Sequence, residues 1–247
     1  MFNFFTKKEY LIDHLNGFID IHNHILPSID DGAENIEESI ELLKAFSEFG
    51  VTRFICTPHI MHNYYDNTPK TIEQSFKKLK KVIKKEGLSN IKIRCAAEHM
   101  IDDNFERILK KEKTLPLNST HLLVEMSYLQ PSINFESAIK KIKKQQLFTV
   151  FAHPERYLYL HNNYLKTYHE LKSKGILFQL NMLSLGGYYG NDIQTIAFKL
   201  LDENMYEFIA SDVHNMRHLN AIKEITLSRR RMDKILLLIN RTIDTFL

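Results

Sequence analysis

Short apolar segments alternate with longer segments of helical periodicity along the whole 247-residue sequence. The apolar segments are rich in β-branched and aromatic residues, which favours strands, whereas the longer segments repeat apolar residues at steps of three and four. The predicted strands are residues 17–21, 51–57, 91–97, 121–126, 147–152, 176–181 and 206–211. About seven parallel strands with outer helices predict an α/β fold, either a TIM-like barrel or, as the alternative, an open doubly wound sheet.

Composition restricts the class of protein. The chain has 44% hydrophobic and 26% charged residues and a formal net charge of +3, a composition typical of a globular domain. The lysine runs lie between helically spaced apolar residues, which favours solvated helix faces over a nucleic-acid or membrane surface. Cys56 and Cys95 are the only cysteines, and both lie in strand-like runs. We therefore expect a cytoplasmic protein with no disulfide, no membrane span and no nucleic-acid partner.

Potential metal ligands follow the first predicted strand. Because side chains alternate along a strand, His22 and His24 lie on one side and offer a pair of nitrogen ligands. The following loop adds Asp30 and Asp31 before Gly32. On its own, this Asp-Gly pattern is also typical of a turn and a helix cap.

The other predicted strands also end in imidazoles and carboxylates. Any one of them could be a buried histidine or a capping carboxylate, but together they follow apolar strands at ends that should meet, and buried charge requires compensation. Bound cations are the simplest compensation, and the set exceeds what one tetrahedral ion needs. The candidate ligands are His22, His24, Asp31, His59, Glu98, Glu125, His153, Asp212 and His214.

Two or three divalent ions in one site favour phosphate-ester hydrolysis, because they clamp phosphoryl oxygens and activate water. Arg156 and Arg217 each follow a candidate ligand by a few residues. Their guanidinium groups match phosphate oxygens and the charge that develops in the transition state. The alternative for each arginine is a surface salt bridge.

These motifs resemble one known family. The segments 20–24, 30–32, 57–59, 97–98, 153–156 and 211–214 are similar to those of the PHP superfamily, most of all to its bacterial tyrosine phosphatases encoded beside capsule and exopolysaccharide kinases. The resemblance implies a distorted seven-stranded barrel over residues 17–247, with residues 1–16 as an extension. It also implies a trinuclear site, most often with manganese and with iron, zinc or magnesium as alternatives.

The resemblance further implies roles for the individual residues. One ion would be held by His22, His24, Glu98 and Asp212, and Glu98 would bridge to a second held by Glu125 and His153. Asp31, His59 and His214 would hold the third, with Asp31 preferred to Asp30 on the family pattern alone. Arg156 and Arg217 would bind phosphate. The implied partner is a phosphotyrosine protein, the tail of a polysaccharide-export tyrosine kinase.

Several alternatives compete with this function. Cysteine-dependent tyrosine phosphatases need an arginine six residues after the cysteine, where this chain has His62 and Ile101, so that mechanism is excluded. Amidohydrolases usually place lysine and histidine where this chain has Glu125 and Asn181. A phosphatase for a small phosphomonoester such as histidinol phosphate, or a metal-stabilised regulatory subunit, would retain most of the ligands.

Two further features have no assigned role in the family pattern. His99 follows Glu98 directly and is an extra candidate ligand or acid, while the extension with Phe2, Phe4, Phe5 and Leu11 should pack on the barrel or on a partner. Aromatic residues also follow the ligand motifs, and they should form either rim packing or a surface for a phosphotyrosine ring. They are Tyr64, Tyr65, Tyr128, Tyr157, Tyr159, Tyr188 and Tyr189.

Overall fold

Strands and helices alternate in the computed structural model, which describes residues 8–111 and 113–247. The predicted mixed α/β fold with parallel strands is confirmed. The strands are β1 (Lys8–Tyr10), β2 (Ile19–Asp20), β3 (Arg53–Cys56), β4 (His59–Ile60), β5 (Lys92–Cys95), β6 (Glu98–Met100), β7 (His121–Glu125), β8 (Phe148–Ala152), β9 (Leu177–Asn181), β10 (Phe208–Ala210) and β11 (Thr226–Ser228).

The helices follow the strands in sequence, as the periodicity predicts. Over the described residues they are α1 (Ile36–Ser47), α2 (Pro69–Lys85), α3 (Phe105–Lys110), α4 (Phe135–Lys144), α5 (Tyr164–Ser173), α6 (Met182–Leu185), α7 (Asn191–Asp202), α8 (Met216–Lys223) and α9 (Arg229–Phe246). Short 3-10 turns cover Leu11–His14, Pro154–Arg156 and Leu158–Leu160.

Side-chain caps explain where several helices begin. The side chain of Asn35 accepts a hydrogen bond from the backbone of Glu38 at the start of α1. Thr68 and Thr71 form a reciprocal capping box at the start of α2, with Pro69 in the first turn. These caps satisfy backbone N–H groups that have no partner within the helix.

Two parallel sheets carry most of the strands. One has the order β10-β9-β8-β7-β6-β4 and the other the order β2-β3-β5. The change of sheet between β3 and β4 occurs at Pro58, which has no N–H to donate. Backbone pairing continues past this break, because the N–H of Glu98 donates to the carbonyl of Pro58 at 3.1 Å.

The first and last parallel strands also meet. Asn23 forms a parallel bridge with Val213, and the N–H of Asp212 donates to the carbonyl of His22 at 2.8 Å. The N–H of His24 in turn donates to the carbonyl of Val213 at 2.9 Å. These bonds link the carboxyl ends of β2 and β10, so residues from both ends of the chain face one edge.

Two apolar clusters lie on opposite faces of the strands. The larger lies among the helices and includes Phe46 and Phe54. The smaller, which we call the inner cluster, is enclosed by strands from both sheets and ends on the last helix. Its buried members are Ile19, Ile21, Ile55, Ala96, Leu117, Leu123, Val150, Ala152, Phe208, Ala210 and Phe246.

The two ends of the chain pair with each other. β1 is antiparallel to β11, with Glu9 opposite Leu227, and Leu11 and Leu15 are fully buried in the larger cluster. β11 also separates α8 from α9. The predicted packing of Phe2, Phe4 and Phe5 lies outside the described residues.

Among the helices of residues 8–111 and 113–247, not one combines the length and the apolar content that crossing a bilayer requires.

Candidate metal centre

The strands bring the predicted ligands together at their carboxyl ends. Donor atoms of these residues form four overlapping groups, and within each group the atoms lie within 4.8 Å of one another. The groups are His22, His24 and Asp212; His22, Glu98 and His153; His59, Glu98 and Glu125; and His24, Asp31, His59 and His214.

The His22 and His24 side chains lie on the same side of the chain after β2, as the alternation predicted. The Nε2 atom of His22 lies 3.1 Å from Glu98 Oε2 and 3.3 Å from Asp212 Oδ1. The Nε2 atom of His24 lies 3.5 and 3.4 Å from the same two oxygens. These four residues therefore surround a common point.

Glu98 occupies the middle of the cluster. Its Oε1 lies 3.1 Å from Nε2 of His153, and its Oε2 lies 3.1 Å from Nδ1 of His59. Glu125 Oε1 in turn lies 2.8 Å from His59 Nδ1. One carboxylate thus reaches imidazoles from three different strand ends, an arrangement suited to bridging two cations.

The structure separates the adjacent carboxylates Asp30 and Asp31. The Asp31 side chain is half exposed, with Oδ1 3.4 Å from Nε2 of His59 and 3.6 Å from Nε2 of His214. The Asp30 side chain is buried and accepts a hydrogen bond from Nδ1 of His24 at 2.7 Å. Asp31 therefore faces the shared space, whereas Asp30 orients a neighbouring imidazole.

Gly32 keeps this loop close to the first strand. A Cβ atom at Gly32 would lie 2.0 Å from the carbonyl oxygen of His24. The same carbonyl accepts a hydrogen bond from the N–H of Ala33 at 3.0 Å. Only a residue without a side chain allows the carboxylates to approach the imidazoles this closely.

Buried polar atoms in the cluster indicate that it suits cations. Among the described residues, His59 Nδ1, Glu98 Oε2, Glu125 Oε1 and His153 Nδ1 are buried without a hydrogen-bond partner. The first and third of these atoms lie 2.8 Å apart, but their angles do not suit a hydrogen bond. A divalent ion coordinated by imidazole and carboxylate donors would satisfy three of them, so the residues fit a bound metal.

Mutual charge interactions shift the pKa values within the cluster. Burial opposes ionisation of Glu98, but His22 and His59 hold its pKa well below the usual value. Burial likewise opposes protonation of His59, but Glu125 and Glu98 raise its pKa well above the usual value. Burial lowers the pKa of His153 to about 4, and Arg156 adds to that shift. The protein alone therefore compensates part of the buried negative charge with protonated imidazoles.

Residues that the sequence did not single out orient the ligands. Gln179 Oε1 lies 2.9 Å from Nδ1 of His22, and the carbonyl of Asp212 lies 2.9 Å from Nδ1 of His214. In both rings, these bonds direct the other nitrogen, Nε2, towards the cluster. Asn181 donates from Nδ2 to Asp212 Oδ2 at 2.7 Å.

Two ligand candidates have left-handed backbone conformations. The φ angles of His153 and Asp212 are 36° and 53°. Such conformations cost about 1–3 kcal/mol for residues other than glycine, so surrounding contacts must maintain them. Asp20 provides one such contact, since its carboxylate accepts bonds from the backbone N–H and hydroxyl of Ser211 at 3.0 and 2.6 Å.

Arg156 lies beside the cluster between two aromatic rings. Its guanidinium carbon is 4.6 Å from the ring centre of Tyr128 and 4.0 Å from that of Tyr189. Its Nη1 donates to Asp212 Oδ2 at 2.7 Å. The rings and the carboxylate fix the guanidinium at the edge of the candidate metal site.

Arg217 is not brought to the same place. It is an exposed residue in the first turn of α8, whereas His218, one position later, lines the cavity over the cluster. The ring of His218 also contacts that of His214, with centres 5.3 Å apart. Spacing along the sequence could not show which side of the helix faces the site.

His99 points away from the cluster, because side chains alternate along β6. Its Nδ1 donates to the carbonyl of Leu123 at 3.0 Å, and its Nε2 accepts from the N–H of Leu115 at 3.2 Å. Burial lowers its pKa to about 4. With backbone partners on both nitrogens, the ring has a structural role.

A cavity of about 1190 Å³ opens above the ligands. Its floor includes Asp31, Glu98 and Asp212, and its rim includes Tyr64 and Ile133. This volume exceeds what a single aryl phosphate requires.

Several known proteins are similar to this chain. Tyrosine-protein phosphatase YwqE of Bacillus subtilis is 32% identical over 82% of this chain and 79% of its own length. Putative tyrosine-protein phosphatase CapC of Staphylococcus aureus is 34% identical over 80% of this chain and 77% of its own length. A crystal structure from work on YwqE and Streptococcus pneumoniae CpsB, described as metal-dependent tyrosine phosphatases, matches with a TM-score of 0.80 at 28% identity, covering 92% of this chain and 93% of that one.

The resemblance predicted from the motifs, to bacterial tyrosine phosphatases of capsule operons, is confirmed. The model of one family, described as capsular polysaccharide synthesis, CpsB/CapC, matches residues 18–233. The chain therefore belongs to the CpsB/CapC family.

Proposed function

We propose that this protein is a metal-dependent phosphatase that hydrolyses phosphotyrosine in a protein substrate. The observation that carries the proposal is the convergence of the candidate ligands in four overlapping groups beneath an open cavity. Relatives that are named tyrosine phosphatases, 32% and 34% identical to this chain over the aligned residues, support it.

The ligand roles remain those predicted from the sequence. His22, His24, Glu98 and Asp212 would hold one ion, Glu98 would also reach a second held by Glu125 and His153, and Asp31, His59 and His214 would hold the third. Bound ions of this kind would neutralise phosphoryl oxygens and activate a water molecule. Manganese is the proposed metal, and mixed imidazole and carboxylate donors are compatible with it.

Arg156 is the proposed phosphate-binding residue. Its side chain is only 16% exposed and is already oriented by Tyr128, Tyr189 and Asp212. A pre-oriented guanidinium binds two phosphate oxygens without losing further side-chain freedom. The same role for Arg217 stays a prediction, since its exposed position requires the side chain to reach over the rim.

The rim of the cavity favours a polypeptide substrate over a small phosphomonoester such as histidinol phosphate. Tyr64, Leu129 and Ile133 are 79%, 92% and 101% exposed and all line the cavity. Large apolar side chains grouped at full exposure indicate a surface that binds a macromolecule. The tail of a polysaccharide-export tyrosine kinase, acting in the cytoplasm, is the proposed natural substrate.

The distorted seven-stranded barrel and the domain limits of 17–247 belong to the same proposal. The bonds between Asn23, His24 and Val213 support it, because they join the carboxyl ends of the first and last parallel strands. The breaks at Pro58 and Ala96 would be the distortions, and the inner cluster would fill the interior of the barrel.

The test is hydrolysis by chelated protein reconstituted in turn with manganese, iron, zinc and magnesium. The substrates are a phosphotyrosine peptide, its phosphoserine counterpart and histidinol phosphate. We expect the phosphotyrosine peptide to have the highest kcat/KM, because a phenolate with pKa about 10 leaves more readily than an alkoxide. Far faster turnover of histidinol phosphate would refute the assigned substrate.

A further inference from the structure

A second depression of about 310 Å³ adjoins the large cavity. Met61, His62 and Tyr65 belong to the walls of both, so only the turn at residues 61–65 lies between them. We call this depression the flank groove. The residues that define it here are Asp66, Pro69, Asn104, Arg107, Lys111 and Lys113, with the three shared residues.

The flank groove carries an excess of positive charge. Arg107, Lys111 and Lys113 are exposed and line it, whereas Asp66 is the acidic residue among its described lining residues. Asp66 is already engaged, since its Oδ1 accepts a bond from the N–H of Asn63 at 3.0 Å and lies 3.2 Å from a ring nitrogen of His62.

One of the cations is held in a fixed orientation. The Nε of Arg107 donates to Oδ1 of Asn104 at 2.6 Å. This bond uses one of the five N–H donors of the guanidinium and restricts the rotation of the planar group.

The helix that begins at the groove strengthens the positive potential. Pro69 lines the groove and opens α2, whose first turn carries Lys70 and no acidic residue. Charges of one sign concentrated on one side of a molecule attract a ligand of the opposite sign.

The large cavity differs in its charge. Carboxylates of Asp103 and Glu106 contribute to its lining, in addition to the candidate metal ligands. A negative substrate residue is therefore favoured in the flank groove but not at every position around the phosphotyrosine. The preference should depend on the position of the acidic residue in the peptide.

We propose that the flank groove binds an acidic side chain of the substrate polypeptide on one side of the phosphotyrosine. This inference rests on the proposed function and adds a sequence preference to it. Because the groove and the cavity share the turn at residues 61–65, an extended peptide with its phosphate at the metal centre passes directly from one to the other. Arg107 and Lys111 would be the specificity-determining residues.

The test is a scan of alanine-based phosphotyrosine peptides, each with one glutamate at a different position on either side of the phosphotyrosine. We expect one or two adjacent positions to raise kcat/KM by about two- to fivefold, as exposed ion pairs do, mainly through KM. The gain should shrink with added salt. In the variants Arg107→Glu and Lys111→Glu, the gain from glutamate should disappear. Lysine at the same peptide position should then raise kcat/KM instead.

Lys84→Glu is the matched control, because it makes the same charge change on an exposed residue near the far end of α2, about 22 Å along the helix. It should keep the wild-type preference, and thermal melts should confirm that all three variants are folded. Turnover of every peptide with equal kcat/KM would overturn this inference alone. No turnover of any phosphotyrosine peptide would overturn the proposed function and this inference with it.

Discussion

The two ends of the parallel strands differ completely in chemistry. At the carboxyl ends, imidazoles and carboxylates converge and several of their buried atoms lack hydrogen-bond partners within the described residues. At the amino ends, the inner cluster is closed by aromatic rings. The ring of Phe246 lies 5.0 Å from that of Phe208 and 5.3 Å from that of His121, centre to centre.

This difference separates function from stability along one set of strands. The polar end holds charges that only bound cations would fully compensate, so it lowers the stability of the metal-free chain. The apolar end gains free energy from burial and needs no ligand. Substitutions at the carboxyl ends should therefore lower activity, whereas substitutions at the amino ends should lower the free energy of unfolding.

Removing the central carboxylate should have the largest effect. We expect Glu98→Ala to lower kcat/KM for a phosphotyrosine peptide by more than about a thousandfold, because two of the proposed ions lose a shared ligand. Peptide hydrolysis and the metal content of the purified protein measure this. A folded Glu98→Ala protein that had lost its metal but kept its activity would refute the proposed centre.

A substitution in the inner cluster, at the amino ends of the strands, should lower stability and leave activity nearly unchanged. Phe246→Ala removes a ring that is 2% exposed and should cost about 3–5 kcal/mol in the free energy of unfolding, measured in urea. Below its unfolding transition, the variant should keep kcat within about twofold. Leu247→Ala is the control, since that side chain is 72% exposed and its loss should cost less than about 0.5 kcal/mol.

Loss of an orienting residue should have an intermediate effect. Gln179→Ala removes the partner of His22 Nδ1 and should weaken metal binding by about 10–100-fold, with activity restored by excess metal. Titration calorimetry measures the affinity. Gln145→Ala is the control, since it also removes a glutamine side chain, but one that donates to the carbonyl of Leu109. It should leave metal affinity unchanged.

Metal binding should release protons. Carboxylates raise the pKa of His24 and His59 against the effect of burial, so these rings keep protons near neutral pH when metal is absent. Metal affinity should then rise with pH, by up to about tenfold per unit for each proton displaced. Identical binding heats in buffers of unlike ionisation enthalpy, together with an affinity independent of pH, would contradict this.

The stability of the metal-free protein should fall as pH rises, whereas its metal affinity should rise. Its raised histidine pKa values stabilise the fold fully below the unfolded value of about 6.5, and that contribution is lost as pH rises through the folded values. The melting temperatures of the metal-bound and metal-free protein should therefore move apart as pH rises above about 6.5.

The smallest effect should come from the cysteines. Cys56 is buried, and burial raises the pKa of its thiol, which disfavours the thiolate that a nucleophile requires. Cys56→Ser and Cys95→Ser should keep kcat/KM within about twofold in the same peptide assay. A folded, metal-loaded cysteine variant without activity would contradict the metal-dependent mechanism.

The sequence could predict what depends on local periodicity. The order of strands and helices follows from it, as does the meeting of the candidate ligands, because parallel strands end at one edge. The pairing of β1 with β11 could not be predicted, since it joins segments more than two hundred residues apart. The orienting roles of Asp30 and Gln179 likewise depend on distances across strands.

Arg217 and His99 show that spacing along the sequence does not fix the direction of a side chain. Both follow candidate ligands closely, yet Arg217 is exposed on α8 and His99 binds backbone groups behind β6. The direction of a side chain is set by strand alternation and by helix rotation, and one residue is enough to reverse it.

Apart from Asp31, the ligand candidates lie on strands or within four residues of a strand end. The exposed rim residues Leu129 and Ile133 lie in the connection between β7 and α4. A one-residue insertion within β7 would turn Glu125 to the other face. An insertion in residues 127–134 would alter only the rim. Natural or engineered diversification can therefore replace the substrate-contacting connections while the hydrolytic centre is inherited unchanged.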